Sequence, residues 1–318
     1  KKDKTPESDD QLPPEAQPLT AEEEEVKEKV LKALDGRKVH ETTLIQFIRG
    51  YSYEEERVAK TIEMLTKCLD WRDENKIDTI CDRKLPKREL FQKTWQTVVS
   101  GKDPEGRLII CDRLGAIKPS DLLDNFTVEE LQMQHVQNQE FQFKMKEEQR
   151  KKTGKRIYKA VSILDLDGIG MGHTSSKFTG PARSVTDIDQ WFYPESMHKM
   201  YVVNAPWVFK MIWKVVRPWL HPITQEKIQV CGSNFLDEIM ADGISKDQLP
   251  EFIGGSGTDI AAEFEANYKP EDESAGDTSE PKKKTKKKKK KKTTKDGEEV
   301  EEEEEEEEED ENDDEKTP

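Results

Sequence analysis

The chain has 318 residues, room for one large domain or two small ones, with 32% hydrophobic residues and a mean hydropathy of −0.96. Its net charge of −16 lies at the ends: residues 1–25 hold nine acids against three bases, residues 271–318 hold 22 against 12, and the middle is neutral. The middle contains all six Trp and can bury a core, whereas the ends lack the apolar residues to offset their ordering entropy and are expected to be disordered.

In chain order, residues 1–20 are Pro-rich and polar. Thr20 followed by Glu22, Glu23, Glu24 and Glu25 reads as an N-cap with acids in the first helical turn, where they oppose the helix dipole. Val26, Val30, Leu31 and Leu34 then repeat at helical spacing up to Gly36. Leu44, Ile45, Phe47 and Ile48 mark a second helix, and Val58, Ile62, Leu65 and Leu69 a third, so roughly the first 80 residues are a helical layer. After Gly101 the pattern changes. Residues 108–111 read as a strand behind the polar turn 102–106, and residues 126–152 as a long helix with a Thr127-x-x-Glu130 capping box. Residues 160–166 are nearly continuous apolar, as in a strand buried on both faces. A helix-length segment to Trp191, a strand at 201–203, an apolar helix at 208–220 and a strand at 228–231 follow. Strands alternating with helices imply βαβ units and a mostly parallel sheet.

No catalytic constellation emerges. Asp165 to Gly172 looks like a dinucleotide-binding glycine loop, but the position of its third glycine holds His173, so it reads as a strand-to-loop turn, with Asp165 and Asp167 in capping or turn roles. Gly254-Gly255-Ser256-Gly257-Thr258 lacks the closing glycine and the preceding strand of a nucleophile elbow. The five His have no metal-ligand spacing. Cys68, Cys81, Cys111 and Cys231 form no CxxC pair and suit neither zinc nor a disulfide framework, a pattern of reduced intracellular thiols. No signal-peptide pattern is present, and no apolar run approaches the ~18–20 residues of a membrane span. The chain opens on Lys1 rather than Met, as a fragment would.

The helix at 208–220 is the most unusual segment, because apolar residues wrap much of it instead of forming one stripe. Two readings fit: a helix buried between sheet and helical layer, or a helix packing on a bound lipid or a bilayer with its Trp residues and Phe209. The stretch around it resembles the CRAL-TRIO domain of phosphatidylinositol-transfer proteins. The matching residues are Tyr193-Pro194-Glu195, Asn204-Ala205-Pro206-Trp207, Pro218, Pro222-Ile223-Thr224 and Lys227-Ile228, followed by Leu249-Pro250 and Gly254-Gly255. Upstream, Thr43-Leu44-Ile45-Gln46-Phe47-Ile48-Arg49, Trp71-Arg72, Asp103 to Gly106 and Leu114-Gly115 also match, so that the resemblance runs over about residues 31–255.

The resemblance implies a sheet floor, helical walls and a mobile gate helix closing over one lipid. The helix at 208–220 falls at the gate, with Phe209, Ile212, Trp213 and Val216 as pocket and gate residues. It assigns Glu195, Thr224 and Lys227 to an inositol-phosphate headgroup, whereas a base that family members add at this site is replaced here by Tyr51. Of the two hydroxyl residues of the phosphatidylcholine site only Ser162 is present, because Ala160 stands at the other, and a family Tyr is replaced by Ile110.

The expected fold is therefore α/β: an N-terminal helical layer and a CRAL-TRIO lipid-binding domain with a mostly parallel sheet and a gate helix. Its expected parts are a disordered acidic tail at 1–25, the helical subdomain at 26–90, the lipid-binding domain at 91–268, and a disordered Lys-rich, then acidic, tail at 269–318. The expected function is non-enzymatic lipid binding and exchange at membranes, with phosphatidylinositol or a related phospholipid as ligand. The alternative is a lipid-gated scaffold that senses lipid in phosphoinositide signalling. The expected partners are the phospholipid and an anionic membrane surface, with no specific nucleic acid, no cofactor and no metal, and the chain is expected to be a cytoplasmic, peripherally membrane-associated monomer. Residues 282–292 hold ten Lys in eleven positions, and this block fits an anionic leaflet and equally a nuclear-localisation signal or a nucleic-acid contact, with a solvated, electrostatically self-associating tail as the bland alternative. The acidic block at 298–315 is expected to fold back on it and screen it.

Overall fold

The computed structural model describes residues 12–269 and the strand segments Lys290–Thr293 and Glu299–Glu302. The expected helical layer consists of α1 (Ala21–Leu34), α2 (Glu41–Gly50), α3 (Arg57–Asn75) and α4 (Arg88–Thr94). Thr20 caps α1 in a full capping box with Glu23. Residues at helical spacing meet in one cluster: Val26, Val30 and Leu34 of α1, Leu44, Phe47 and Ile48 of α2, and Leu65, Cys68 and Leu69 of α3.

The sheet has the order β1 (Thr97–Lys102), β2 (Leu108–Asp112), β3 (Ala160–Asp165), β4 (Met197–Val203), β5 (Ile228–Val230). Only β1 and β2 pair antiparallel; the other neighbours are parallel, as the alternation of strands and helices predicts. β1 has no counterpart in the sequence reading, since Val98 and Val99 are too short an apolar run beside Ser100-Gly101-Lys102. The connections are α5 (Pro119–Asn125), α6 (Val128–Thr153), α7 (Ser176–Phe192), α8 (Phe209–Val216), α9 (Pro222–Glu226), α10 (Phe235–Ala241) and α11 (Ile260–Asn267). The capping box of α6 forms as expected between Thr127 and Glu130.

Alternate residues of the strands build two unlike faces. One face is sealed. Ile109, Cys111, Val161, Ile163, Tyr201 and Val203 are buried against Ile239 of α10 and against Ile244, Leu249 and Ile253. The other face is buried only in part. Ser162, Leu164, Met200 and Ile228 all keep contact with solvent-sized space although they lie on inner strands or next to them. Met145 of α6 and Ile260 and Ala261 of α11 pack over one part of this face, on Val99, Leu108, Ile110 and Ala160. Val208 and Ile212 roof another part, above Val202, Leu164 and Ile228.

Four expectations change. Residues 12–25 are not a disordered tail: Glu15 is buried and its carboxylate accepts from Arg107 Nε at 2.5 Å, while Arg49 donates to the backbone carbonyls of Pro14, Glu15 and Gln17. The ion pair holds a segment too polar to be held by a core. The boundary at 90/91 falls inside α4, whose Phe91 packs with Ile117, Leu122 and Leu131, so the helical layer and the sheet form one packed unit. The helix expected at 208–220 ends as α-helix at Val216 and tightens to a 3₁₀ turn over Arg217–Trp219, because Pro218 lacks an N–H and its ring excludes the next helical turn. It is also one-sided, with Lys210, Met211, Lys214 and Val215 exposed. In the second unit, Glu271–Pro318, the described backbone is not irregular: Lys290–Thr293 pairs antiparallel with Glu299–Glu302, with Lys290 opposite Glu302 and Lys291 opposite Glu301. The rest of the expected tails, 1–11 and most of 270–318, lies outside the described residues.

Candidate functional site

β3, β4 and β5 start at the same edge of the sheet, so the residues just before them converge. Lys159 precedes β3, Glu195 lies two residues before β4, and Lys227 precedes β5. Glu195 takes a left-handed backbone conformation (φ 56°) that turns the chain from α7 into β4. Its carboxylate accepts from Lys227 Nζ at 3.0 Å and from Lys159 Nζ. Burial alone would raise the Glu195 carboxyl, but the two ammonium groups outweigh it and hold the carboxyl below its ordinary value. Two cations around one anion leave a surplus positive charge. The sequence singled out Glu195 and Lys227 and missed Lys159, because only the parallel register places it beside them.

Thr224 lies one turn before Lys227, its carbonyl accepting from the Lys227 N–H at 3.2 Å, and its hydroxyl has no partner among the described residues. The loop that carries Glu195 is clamped by α2. Gln46 Nε2 donates to the Pro194 carbonyl at 3.0 Å, and Gly50 sits so close that a Cβ there would come within 2.9 Å of Pro194 Cβ. Tyr51, which stands where the family has a base, is turned away from the site. It is buried in the helical core beside Phe47, and burial raises its hydroxyl pKa. Tyr53 stacks on His221, the N-cap of α9, at 4.4 Å between ring centres, tying the helical layer to the segment after α8.

The predicted gate residues mostly converge. Ile212 is buried, and Phe209 and Val216 are half-buried in the same cluster over the sheet. Trp213 is half-buried and tilted against Phe209 at 5.8 Å, outside that cluster. Ser162 lies on the partly buried face between Ile110 and Met200 in register, and its hydroxyl has no partner among the described residues. The Asp165 turn has the expected structural role: the Asp165 carboxylate accepts from the Asp167 N–H at 3.1 Å and from Asn204 at 2.8 Å. Gly115 is required there, since a side chain would run into the Asp167 carbonyl.

A polar cluster on the same side of the sheet was not legible in the sequence. His135 Nε2 of α6 meets the Asp189 carboxylate of α7 at 2.7 Å, and Gln139 donates to the same oxygen at 2.7 Å. Asp112 of β2 accepts from Thr97 at 2.6 Å. Burial pulls His135 down and the charges of Asp189 and Asp112 more than compensate, so its pKa is raised. Burial raises the Asp112 carboxyl. These residues come from four elements and share no spacing.

A mostly parallel sheet with one sealed face, and one face only partly buried beneath a helix, defines an α/β fold. Residues 92–255 match the CRAL/TRIO domain, and the chain belongs to that family. It is 32% identical over 216 residues to the phosphatidylinositol/phosphatidylcholine transfer protein SFH9 of Arabidopsis thaliana, covering 67% of this chain and 37% of that one. It is 28% identical over 225 residues to the Sec14 cytosolic factor of Schizosaccharomyces pombe, covering 69% and 76%. The chain thus spans less than half the length of the plant relative. Among solved structures, that of Sfh5 shares the fold, with a TM-score of 0.54 and 18% identity over 67% of this chain and 81% of that one.

Proposed function

We propose that this protein binds one phospholipid, phosphatidylinositol first, between the open sheet face and α8, and exchanges it at membrane surfaces without catalysis. One observation carries the reading. Ser162, Leu164, Met200 and Ile228 are apolar or small, sit inside the fold, and yet remain accessible, which is the lining of an acyl-chain pocket rather than of a packed core. The surplus charge at Lys159, Glu195 and Lys227 suits a phosphate, and Lys159 supplies the base that Tyr51 does not. The plant relative's name supports the same ligand class. Ser162 without a second hydroxyl at Ala160 makes phosphatidylcholine the weaker ligand.

The outer side of α8 supports a membrane-facing role. Trp207 is 74% exposed, and Met211 and Val215 are exposed beside Lys210, Lys214 and Arg217. Such a face inserts apolar groups at an interface while its cations meet anionic lipid. No helix among the described residues is long and apolar enough to cross a membrane.

The test is vesicle-to-vesicle transfer of labelled phosphatidylinositol, together with mass spectrometry of lipid extracted from the purified protein. Phosphatidylinositol should co-purify and transfer, and Glu195→Ala with Lys227→Ala should reduce uptake about tenfold or more. Absence of any bound phospholipid would sink the reading, and full transfer by the double variant would remove the headgroup assignment. The charged tail adds a separate arm: deletion of residues 298–315 should increase binding to anionic liposomes at low salt.

A further inference from the structure

α6 carries a polar stripe. Gln132, His135, Gln139, Gln142 and Lys146 follow each other at three- and four-residue steps and so lie along one side of the helix. The first three are satisfied by α7: Gln132 donates to the Ser184 carbonyl, and His135 and Gln139 share Asp189. The last two have no partner among the described residues. Gln142 Oε1 is buried without a hydrogen bond. Lys146 is half-buried, makes no ion pair or hydrogen bond among the described residues, and is pushed down to about 8 by burial.

Several other cations among the described residues are met by acids. Enclosed Arg107 is met by Glu15 and Asp103, Arg72 by Glu140, and the lysines of the headgroup site by Glu195. An ammonium taken from water without a counter-charge is costly, and a helix position one residue away could have held it in solvent or been apolar. Lys146 nevertheless keeps some accessible surface, so it borders open space rather than packed atoms. The residue before it, Met145, packs on Leu108, Ile110 and Ala160 of the open sheet face.

We propose that Lys146 is a second, interior anion subsite. It pairs with an acidic oxygen, carboxylate or phosphate, of an amphiphile bound along the open face, and Gln142 accepts a hydrogen bond from a hydroxyl at the same end of that ligand. The proposal rests on the pocket reading above and goes beyond its headgroup site. It makes the cavity selective for acidic amphiphiles over neutral ones of the same chain.

The experiment uses the full chain at pH 7 and two matched ligand pairs. The first is cis-parinaric acid and its methyl ester, read by fluorescence. The second is lysophosphatidic acid and the monoacylglycerol of the same chain, read by displacement of the ester. Wild type should prefer the acidic member of at least one pair about tenfold or more, and the pair showing the larger preference identifies carboxylate or phosphate. Lys146→Met should bring that ratio close to one with the ester's affinity unchanged, and Lys146→Arg should keep it. Equal binding of acidic and neutral members by wild type, or an undiminished ratio in Lys146→Met, overturns the subsite while leaving the pocket intact. Failure of all four ligands to bind overturns the pocket, and the subsite with it.

Discussion

The two faces of the central sheet come from alternate residues of the same strands, yet they end in different physical states. Val161 and Ile163 point to a face closed by α10 and the segment through Ile253, and Tyr201 and Val203 continue it. Ser162 and Leu164, one residue away in each case, point to a face that helices wall but do not fill. The sealed face is where folding free energy is gathered, since apolar area removed from water stabilises by roughly 25 cal/mol per Å². The open face leaves some of that area uncovered, and Asp112 on it, with His135 and Asp189 nearby, would weaken a packed core. A sheet can thus use one side to remain folded and keep the other for a ligand, provided that the strands have a two-residue period.

The comparison can be broken by substitution. The largest effect is expected on the sealed side: Ile109→Ala, at a fully buried position, should cost about 3 kcal/mol in urea unfolding while leaving lipid selectivity unchanged. A loss below about 1 kcal/mol would mean that this face is not the stabilising one. On the open side Lys146→Met should act in the opposite direction, stabilising the ligand-free protein by as much as about 3 kcal/mol at pH 7. The sign follows from linkage. The folded pKa of about 8 lies below the ordinary 10.5, so the penalty on wild type is complete below pH 8 and fades as pH rises towards 10.5. Unfolding curves of the two proteins should therefore converge with rising pH; a constant gap would show that charge is not the cause.

A smaller effect is expected at the cluster of Glu195, Lys159 and Lys227. The carboxyl of Glu195 is held below its ordinary value by Lys159 and Lys227, so its pairing stabilises above the unfolded value of 4.5 and is lost as pH falls through the lowered folded value. The stability difference between wild type and Glu195→Gln should accordingly vanish in acid, which an acid titration followed by circular dichroism reads directly. The smallest change in stability, under about 1 kcal/mol, is expected for Ser162→Leu, which adds volume where there is room. The same variant should reduce lipid uptake several-fold. Strong destabilisation with normal uptake would place Ser162 in a packed core.

Some of this was legible before any coordinates. Val26, Val30 and Leu34 repeat along a helix and are the residues that α1 buries. The Thr127-x-x-Glu130 signal marks the start of α6 because a capping box is a local hydrogen-bonding pattern. β1 was not legible, since a short strand at a sheet edge derives its pairing from β2 rather than from its own residues. Lys159 and Tyr51 show the limit at the site. The resemblance drew attention to position 51, whose Tyr51 is buried in the helical core, whereas Lys159, which meets Glu195, has no motif around it.

By itself, the amino-acid sequence determined the alternation of strands and helices apart from β1, the neutral, core-forming middle of the chain, an apolar helix within residues 208–220 and the family pattern, because each depends on neighbours within a few turns of chain. Only the tertiary structure decided which sheet face is sealed, that Lys159 joins Glu195 and Lys227, and that Lys146 is half-buried with no counter-charge among the described residues. Those depend on parallel register and on what each helix covers, which bring together residues from distant parts of the chain that share no periodicity.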